Sequence, residues 1–186
     1  MNEKIAVYPG TFDPFHNGHL EIIRRAFGTF DRIIVALGVN PEKEKDTIFT
    51  LEERLDMVRQ SVKSDPRIDC EPFEGLLVRY AEKKGAKAIV RGLRAVSDFE
   101  YEFQLALMNR KLSRHIETFF LMTAHRYLYV SSRIIKATVL AGGSPEGLVP
   151  DYVLKTLKKK FPLIDGCDKS SIKPSMSRSS NRAYKR

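Results

Sequence analysis

The sequence has no long apolar run, and this absence bounds the class of protein. No stretch of the 186 residues approaches the roughly 20 apolar residues that a helix needs to span a bilayer. The chain starts Met-Asn-Glu-Lys and enters a short apolar run at once, which is not the pattern of a signal peptide. We therefore expect a cytoplasmic protein that does not bind a membrane.

Cysteine is also scarce, which argues against disulfide and zinc chemistry. The two cysteines, Cys70 and Cys167, lie far apart, and no CxxC pair is present. A disulfide framework or a zinc site is not expected from this pattern. We interpret Cys70 as a small, partly buried hydrophobic residue.

Positive charge is abundant, but it is concentrated at the C-terminal end. The formal net charge is +9, which by itself suits a nucleic-acid-binding protein. The segment 166–186 has six lysines and arginines against one acid, so the rest of the chain is only +4. That body suits an enzyme for phosphorylated substrates equally well. We expect one domain over 1–164 and a disordered, basic, serine-rich tail over 165–186.

Short apolar runs alternate with helical patterns along the body. This alternation predicts an α/β fold with a doubly wound, parallel, five-stranded sheet of the Rossmann-like type. The predicted strands cover 5–8, 32–39, 68–72, 88–90 and 118–122. The predicted helices cover 20–27, 51–62, 76–84, 98–112, 131–141 and 151–161.

The turn after the first strand holds the most informative residues. His16 and His19 are three apart and share a face if the turn opens a helix, whose N-terminus attracts anions. Gly10 is interpreted as allowing a tight turn and Gly18 as allowing a ligand close to the backbone. A phosphate site is one interpretation, and surface or capping histidines are the other. A metal site is disfavoured because Asp13 is the only further ligand nearby.

The motif His16-Asn17-Gly18-His19, preceded by Gly-Thr-Phe-Asp-Pro, resembles the HxGH nucleotidyltransferase superfamily. Three further segments, 49–54, 91–95 and 98–102, narrow the resemblance to the bacterial phosphopantetheine adenylyltransferase family. The resemblance implies a Rossmann-like nucleotidyltransferase fold and a role in coenzyme A biosynthesis. The implied reaction joins ATP and 4′-phosphopantetheine, gives dephospho-coenzyme A and pyrophosphate, and uses Mg²⁺ brought with ATP. The resemblance also implies a homohexamer and no nucleic-acid partner.

The same resemblance assigns site residues. The implied catalytic residues are Thr11, His19, Lys43 and Arg91, and the acceptor substrate is contacted by Thr11, Lys43, Leu77 and Arg91. The implied ATP contacts are Thr11, Phe12, His16, His19, Gly92, Leu93, Arg94, Glu102, Tyr127, Leu128, Tyr129, Val130, Ser131, Ser132 and Arg133. Lys45 is the alternative to Lys43. Arg133 stands where the family commonly has a hydroxyl residue.

Other interpretations stay open from the residues alone. One is a sibling transferase acting on nicotinamide mononucleotide, or a cytidylyltransferase for a phosphorylated alcohol, and another is a nucleic-acid-binding module.

The helix over 98–112 carries two apolar stripes on roughly opposite sides. We expect one stripe to pack on the protein's own core and the other on a second subunit. The stripes are Phe99, Phe103, Ala106 and Leu107, and Tyr101, Leu105, Met108 and Leu112.

Overall fold

A computed structural model describes residues 3–39, 45–94 and 96–162. Five strands and six α-helices occupy these residues, in the chain order β1, α1, β2, α2, β3, α3, β4, α4, β5, α5 and α6. The strands are β1 Ile5–Gly10, β2 Arg32–Gly38, β3 Ile68–Phe73, β4 Ala88–Leu93 and β5 Glu117–Met122. The helices are α1 Asn17–Ala26, α2 Leu51–Val62, α3 Leu77–Lys83, α4 Val96–Leu112, α5 Ser132–Leu140 and α6 Asp151–Lys160.

The five strands form one parallel sheet, as predicted. The strand order is β3-β2-β1-β4-β5, so the chain winds outward in one direction from β1 and then in the other from β4. The carboxyl ends of β1 and β4 therefore flank the point where the winding reverses. In doubly wound sheets this point is where ligands bind.

Apolar layers cover both faces of the sheet. The larger layer joins inward residues of β1 and β2, such as Ala6 and Val35, to α1, α2, α5 and α6. The smaller layer packs Val7 and Ile89 against α3. The near-continuous apolar sequences of β1 and β2 follow from burial on both faces.

Two boundaries differ from the sequence prediction near the expected site. Helix α1 begins at Asn17 rather than at Leu20, because His16 caps it. Strand β4 continues through Arg91 to Leu93, because β5 runs beside it and pairs Arg91 with Phe120. Arg91, which follows the predicted strand over 88–90, lies within the observed one.

The expected division of α4 into a core stripe and an interface stripe is wrong. None of the side chains described from Asp98 to Leu112 is buried, and residues of both stripes are exposed. The Phe99 ring is partly covered, because it stacks on Phe103 and meets Phe120 of β5 edge-on. The helix thus leaves more apolar surface uncovered than the sequence predicted.

Among the residues described, no helix has both the length and the apolar character that a bilayer crossing requires. The basic tail over 165–186, including Cys167, lies outside the described residues.

Candidate active site

A cavity of about 470 Å³ opens at the carboxyl ends of β1 and β4. It is bounded by the turn after β1, the start of α1, the end of β4, the first turns of α4 and the N-terminus of α5. Of the residues assigned by resemblance, its lining includes Thr11, Phe12, His16, His19, Arg91, Gly92, Arg94, Glu102, Val130, Ser131, Ser132 and Arg133. Residues from five separate elements or turns thus meet at one site.

The two histidines form a reciprocal cap at the start of α1. His16 Nδ1 accepts the backbone N–H of His19 at 3.3 Å, and His19 Nδ1 accepts the backbone N–H of His16 at 3.2 Å. The imidazole rings stack with centroids 3.5 Å apart. The capping interpretation is therefore correct, and it is compatible with the ligand-binding one because Nε2 of each ring takes no part in the cap.

This cap fixes the chemical form of both rings. Burial, reinforced by the charge of Arg94, lowers the pKa of His16 to about 3. Burial and then the neighbouring His16 and Arg94 lower the pKa of His19 well below its ordinary value. A neutral imidazole whose Nδ1 accepts a hydrogen bond carries its proton on Nε2. Each ring therefore presents an Nε2–H donor at neutral pH.

Two glycines of the turn make room for protein side chains. A Cβ at Gly10 would lie 2.7 Å from the Phe12 ring, and one at Gly18 would lie 3.0 Å from Nδ1 of His16. Gly10 does not adopt a positive φ, whereas Phe12 does, at 51°. Close packing of Phe12 thus accounts for Gly10, while Gly18 packs against His16 and also lines the cavity.

The two arginines of the cavity are held by carboxylates of α4. Nε of Arg91 lies 2.7 Å from Oε2 of Glu102, and Nε of Arg94 lies 3.1 Å from Oδ2 of Asp98. Arg94 also donates to the carbonyl of Val130 at 3.2 Å. Asp98 was missed as a cavity residue, although its spacing of four from Glu102 places both on one face of the helix.

The N-terminus of α5 is fastened to the first turn. The Ser131 hydroxyl accepts the N–H of Ile134 at 3.1 Å, so Ser131 is the N-cap of this helix. The Ser132 hydroxyl donates to the carbonyl of Pro14 at 2.9 Å. Both hydroxyls line the cavity beside Arg133, whose side chain is exposed.

The other residues assigned by resemblance are not among the described residues that line the cavity. The Leu93 side chain is buried, and Leu77 lies at the start of α3 against the smaller apolar layer. The residues of 127–129 lie outside the cavity lining: Tyr127 is close to Gly18, while Leu128 and Tyr129 are exposed. Lys43 is outside the described residues, and Lys45 is exposed. Tyr8, Pro9, Tyr101 and Thr123 also line the cavity and were not predicted.

Known proteins resemble this chain across these elements. A family model described as cytidylyltransferase-like matches residues 7–138. A phosphopantetheine adenylyltransferase of Oleidesulfovibrio alaskensis (strain ATCC BAA-1058 / DSM 17464 / G20) is 56% identical over 158 residues, covering 85% of this chain and 92% of the relative. The chain belongs to the phosphopantetheine adenylyltransferase family.

Two further members of the family show the same extent of similarity. The phosphopantetheine adenylyltransferase of Syntrophus aciditrophicus (strain SB) is 50% identical over 163 residues, which cover 88% of this chain and 98% of the relative. That of Carboxydothermus hydrogenoformans (strain ATCC BAA-161 / DSM 6008 / Z-2901) is 53% identical over 164 residues, with 88% and 99% covered. The similarity to the family therefore spans nearly the whole length of these relatives.

Proposed function

We propose that this chain transfers the adenylyl group of ATP to the phosphate of 4′-phosphopantetheine, giving dephospho-coenzyme A and pyrophosphate. The observation that carries the proposal is the pair of neutral imidazoles at the N-terminus of α1, in one cavity with Arg91 and Arg94. Nε2–H groups, guanidinium groups and a helix N-terminus all favour phosphate oxygens. Membership of the family supplies the identity of the two substrates.

The reaction needs positioning more than it needs proton transfer. A phosphate oxygen of phosphopantetheine attacks the α-phosphorus of ATP, a new P–O bond forms, and the bond to the departing pyrophosphate breaks. The attacking phosphate is already an anion at neutral pH, so no base has to create the nucleophile. The site must instead align two polyanions and stabilise charge at the α-phosphorus.

The residues divide between these tasks. We assign the Nε2–H of His19 to the oxygens of the reacting phosphorus and that of His16 to the other nucleotide phosphates. Thr11 and Lys43 orient the attacking phosphate, and Arg91 and Arg94 offset the accumulated negative charge. Ser131, Ser132 and Arg133 at the start of α5 contribute to the ATP side.

Mg²⁺ is proposed to arrive on the phosphate oxygens of ATP. The three carboxylates in the described cavity lining already have partners: Glu102 has Arg91, Asp98 has Arg94, and Asp13 has Lys136 at 3.0 Å. Mg²⁺ commonly keeps substrate phosphates and waters as most of its ligands. This donor set therefore suits a metal that enters with the nucleotide.

The exposed apolar side chains of α4 and β5 support assembly with further copies of the chain. Tyr101, Met108 and Leu107 are 61%, 58% and 54% exposed, and Met122 of β5 is 55% exposed. Clusters of this kind mark interfaces between proteins. We propose that copies of this chain cover them in a hexamer, and that the enzyme acts in the cytoplasm, where ATP is supplied.

A second candidate is a related nucleotidyl transfer with another nucleotide or acceptor. It is favoured by the cytidylyltransferase-like description of the matching family model. The test is pyrophosphate release measured with ATP or CTP against phosphopantetheine, nicotinamide mononucleotide and a phosphorylated alcohol. We expect pyrophosphate release only from the combination of ATP with phosphopantetheine. Release with CTP, or with another acceptor at equal rate, would favour the second candidate.

A further inference from the structure

A buried carboxylate beside the cavity binds two distant parts of the chain. Asp13 is 2% exposed and lies in the turn between Thr11 and His16. Its Oδ1 accepts the N–H of Phe49 at 3.1 Å, and its Oδ2 accepts the N–H of Ile48 at 3.1 Å and Nζ of Lys136 at 3.0 Å. None of the steps assigned above uses this carboxylate.

Lys136 makes a second contact with the segment that Asp13 binds. Its Nζ also donates to the carbonyl of Asp46 at 3.0 Å, so one ammonium group joins α5, the turn after β1 and the segment 46–49. Asp13 and Lys136 are 123 residues apart in sequence, and the fold alone brings them together. The carboxylate of this ion pair is buried and the Lys136 side chain is partly exposed, and an ion pair with several hydrogen bonds fixes geometry more strictly than an apolar contact does.

A second buried charge acts on the same two segments. Arg54 is fully buried and donates to the carbonyl of Thr11 at 2.9 Å and to that of Phe49 at 3.3 Å. The turn and the segment 46–49 are thus held together from two sides. Lys136 lies one turn beyond the start of α5, and the ATP side has further bonds of its own, from Ser132 to Pro14 and from Arg94 to Val130.

We infer that Lys136, acting through Asp13, is a positioning residue that sets the distance between Thr11 and the segment 46–49. This inference rests on the proposed function, in which Thr11 orients the acceptor phosphate. Loss of the ammonium group would leave Asp13 with two backbone donors and release the Asp46 carbonyl. Binding and alignment of phosphopantetheine should suffer, while binding of ATP should not.

The test compares Lys136→Met with wild type and with Lys155→Met, which removes an exposed lysine of α6. We expect Lys136→Met to lower kcat/KM for phosphopantetheine by about tenfold or more, since small misalignments of reactants are costly. The KM for ATP should stay within about twofold, and Lys155→Met should match wild type. Asp13→Asn combined with Lys136→Met should lose less than the sum of the two single losses, because each single variant already breaks the ion pair that they share.

Hydrogen exchange supplies a readout that does not depend on catalysis. In Lys136→Met the amides of Ile48 and Phe49 should exchange about tenfold faster, with α1 unchanged. Unchanged exchange there, a kcat/KM for phosphopantetheine near wild type, or an equal rise in KM for both substrates would overturn the inference. A wild-type chain that forms no product from ATP and phosphopantetheine would instead overturn the proposed function, while the exchange result would still report on the contact.

Discussion

At the scale of single residues, the state of the two histidines decides how the site can work. A cationic histidine would attract phosphate by charge, whereas the capped, neutral rings of His16 and His19 act as oriented hydrogen-bond donors. The sequence predicted that the rings would share a face, and they stack. It could not predict their neutrality, which depends on burial of both rings, by Phe12 and Phe15 in the case of His19, and on the nearby charge of Arg94.

Replacement of His19 by alanine should impair turnover without unfolding the protein. The variant loses the donor assigned to the reacting phosphorus, so we expect kcat to fall by roughly 10²–10³. KM for ATP should change little. Steady-state kinetics and circular dichroism would measure this, with His115→Ala as the control because His115 is exposed and precedes β5. Turnover near the wild-type value would refute the assignment.

The low pKa of His16 should make the folded state sensitive to acid. Its pKa is about 3 in the folded protein against an ordinary value of 6.5, so below pH 6.5 only the unfolded chain takes up this proton. The free energy of unfolding should therefore decrease as pH falls from 6.5 towards 3, by up to about 1.4 kcal/mol per pH unit. Above pH 6.5 His16 is neutral in both the folded and the unfolded chain, so it no longer makes the free energy of unfolding depend on pH.

Urea denaturation of His16→Asn at pH 7 and pH 5 isolates this contribution from that of other groups. Asparagine places Oδ1 where His16 has Nδ1, so it keeps an acceptor for the backbone N–H of His19 but does not titrate. We expect the variant to lose less stability than wild type between the two pH values. An equal loss in both proteins would mean that His16 is protonated in the folded state.

At the scale of elements, the sequence predicted the strands and helices but misplaced the ends that form the site. The start of α1 was missed because histidine is not among the usual N-cap residues. The end of β4 was missed because Arg91 interrupts the apolar run, although pairing with β5 extends the strand. The contacts of Asp13 with Ile48, Phe49 and Lys136 had no local pattern, since only the tertiary fold creates them.

The packing of α1 on β4 should be sensitive to added volume at Gly92. A Cβ there would lie 2.9 Å from Cγ1 of Ile22, which is buried. We expect Gly92→Ala to lower the free energy of unfolding by about 1–3 kcal/mol, a typical cost of overpacking. Gly38→Ala is the control because its Cβ would meet Phe73 at an ordinary 3.5 Å. Equal denaturation midpoints for both variants would show that α1 can shift at little cost.

At the scale of the whole molecule, the main feature is the apolar surface that α4 and β5 leave exposed. The sequence predicted this surface from its two stripes, but it underestimated its extent, because a helical pattern does not show how far a helix stands from its own sheet. In the structure even Phe99 and Phe103 are 42% and 45% exposed. Other copies of the chain are the proposed cover.

Sedimentation velocity should detect that assembly directly. At micromolar concentration we expect a species of about six times the 21.3 kDa chain mass. Leu107→Glu should dissociate it, because a charge would be desolvated in the interface, whereas Lys155→Glu should leave it intact. A wild-type monomer at this concentration would contradict the proposed hexamer.

The most direct test of the central claim is a mass balance of the reaction. Wild-type protein is incubated with ATP labelled in the adenosine moiety, Mg²⁺ and 4′-phosphopantetheine, and the products are identified by mass spectrometry. The account predicts labelled dephospho-coenzyme A and pyrophosphate in equal amounts. Pyrophosphate without an adenylylated pantetheine product, or no reaction at all, would contradict it.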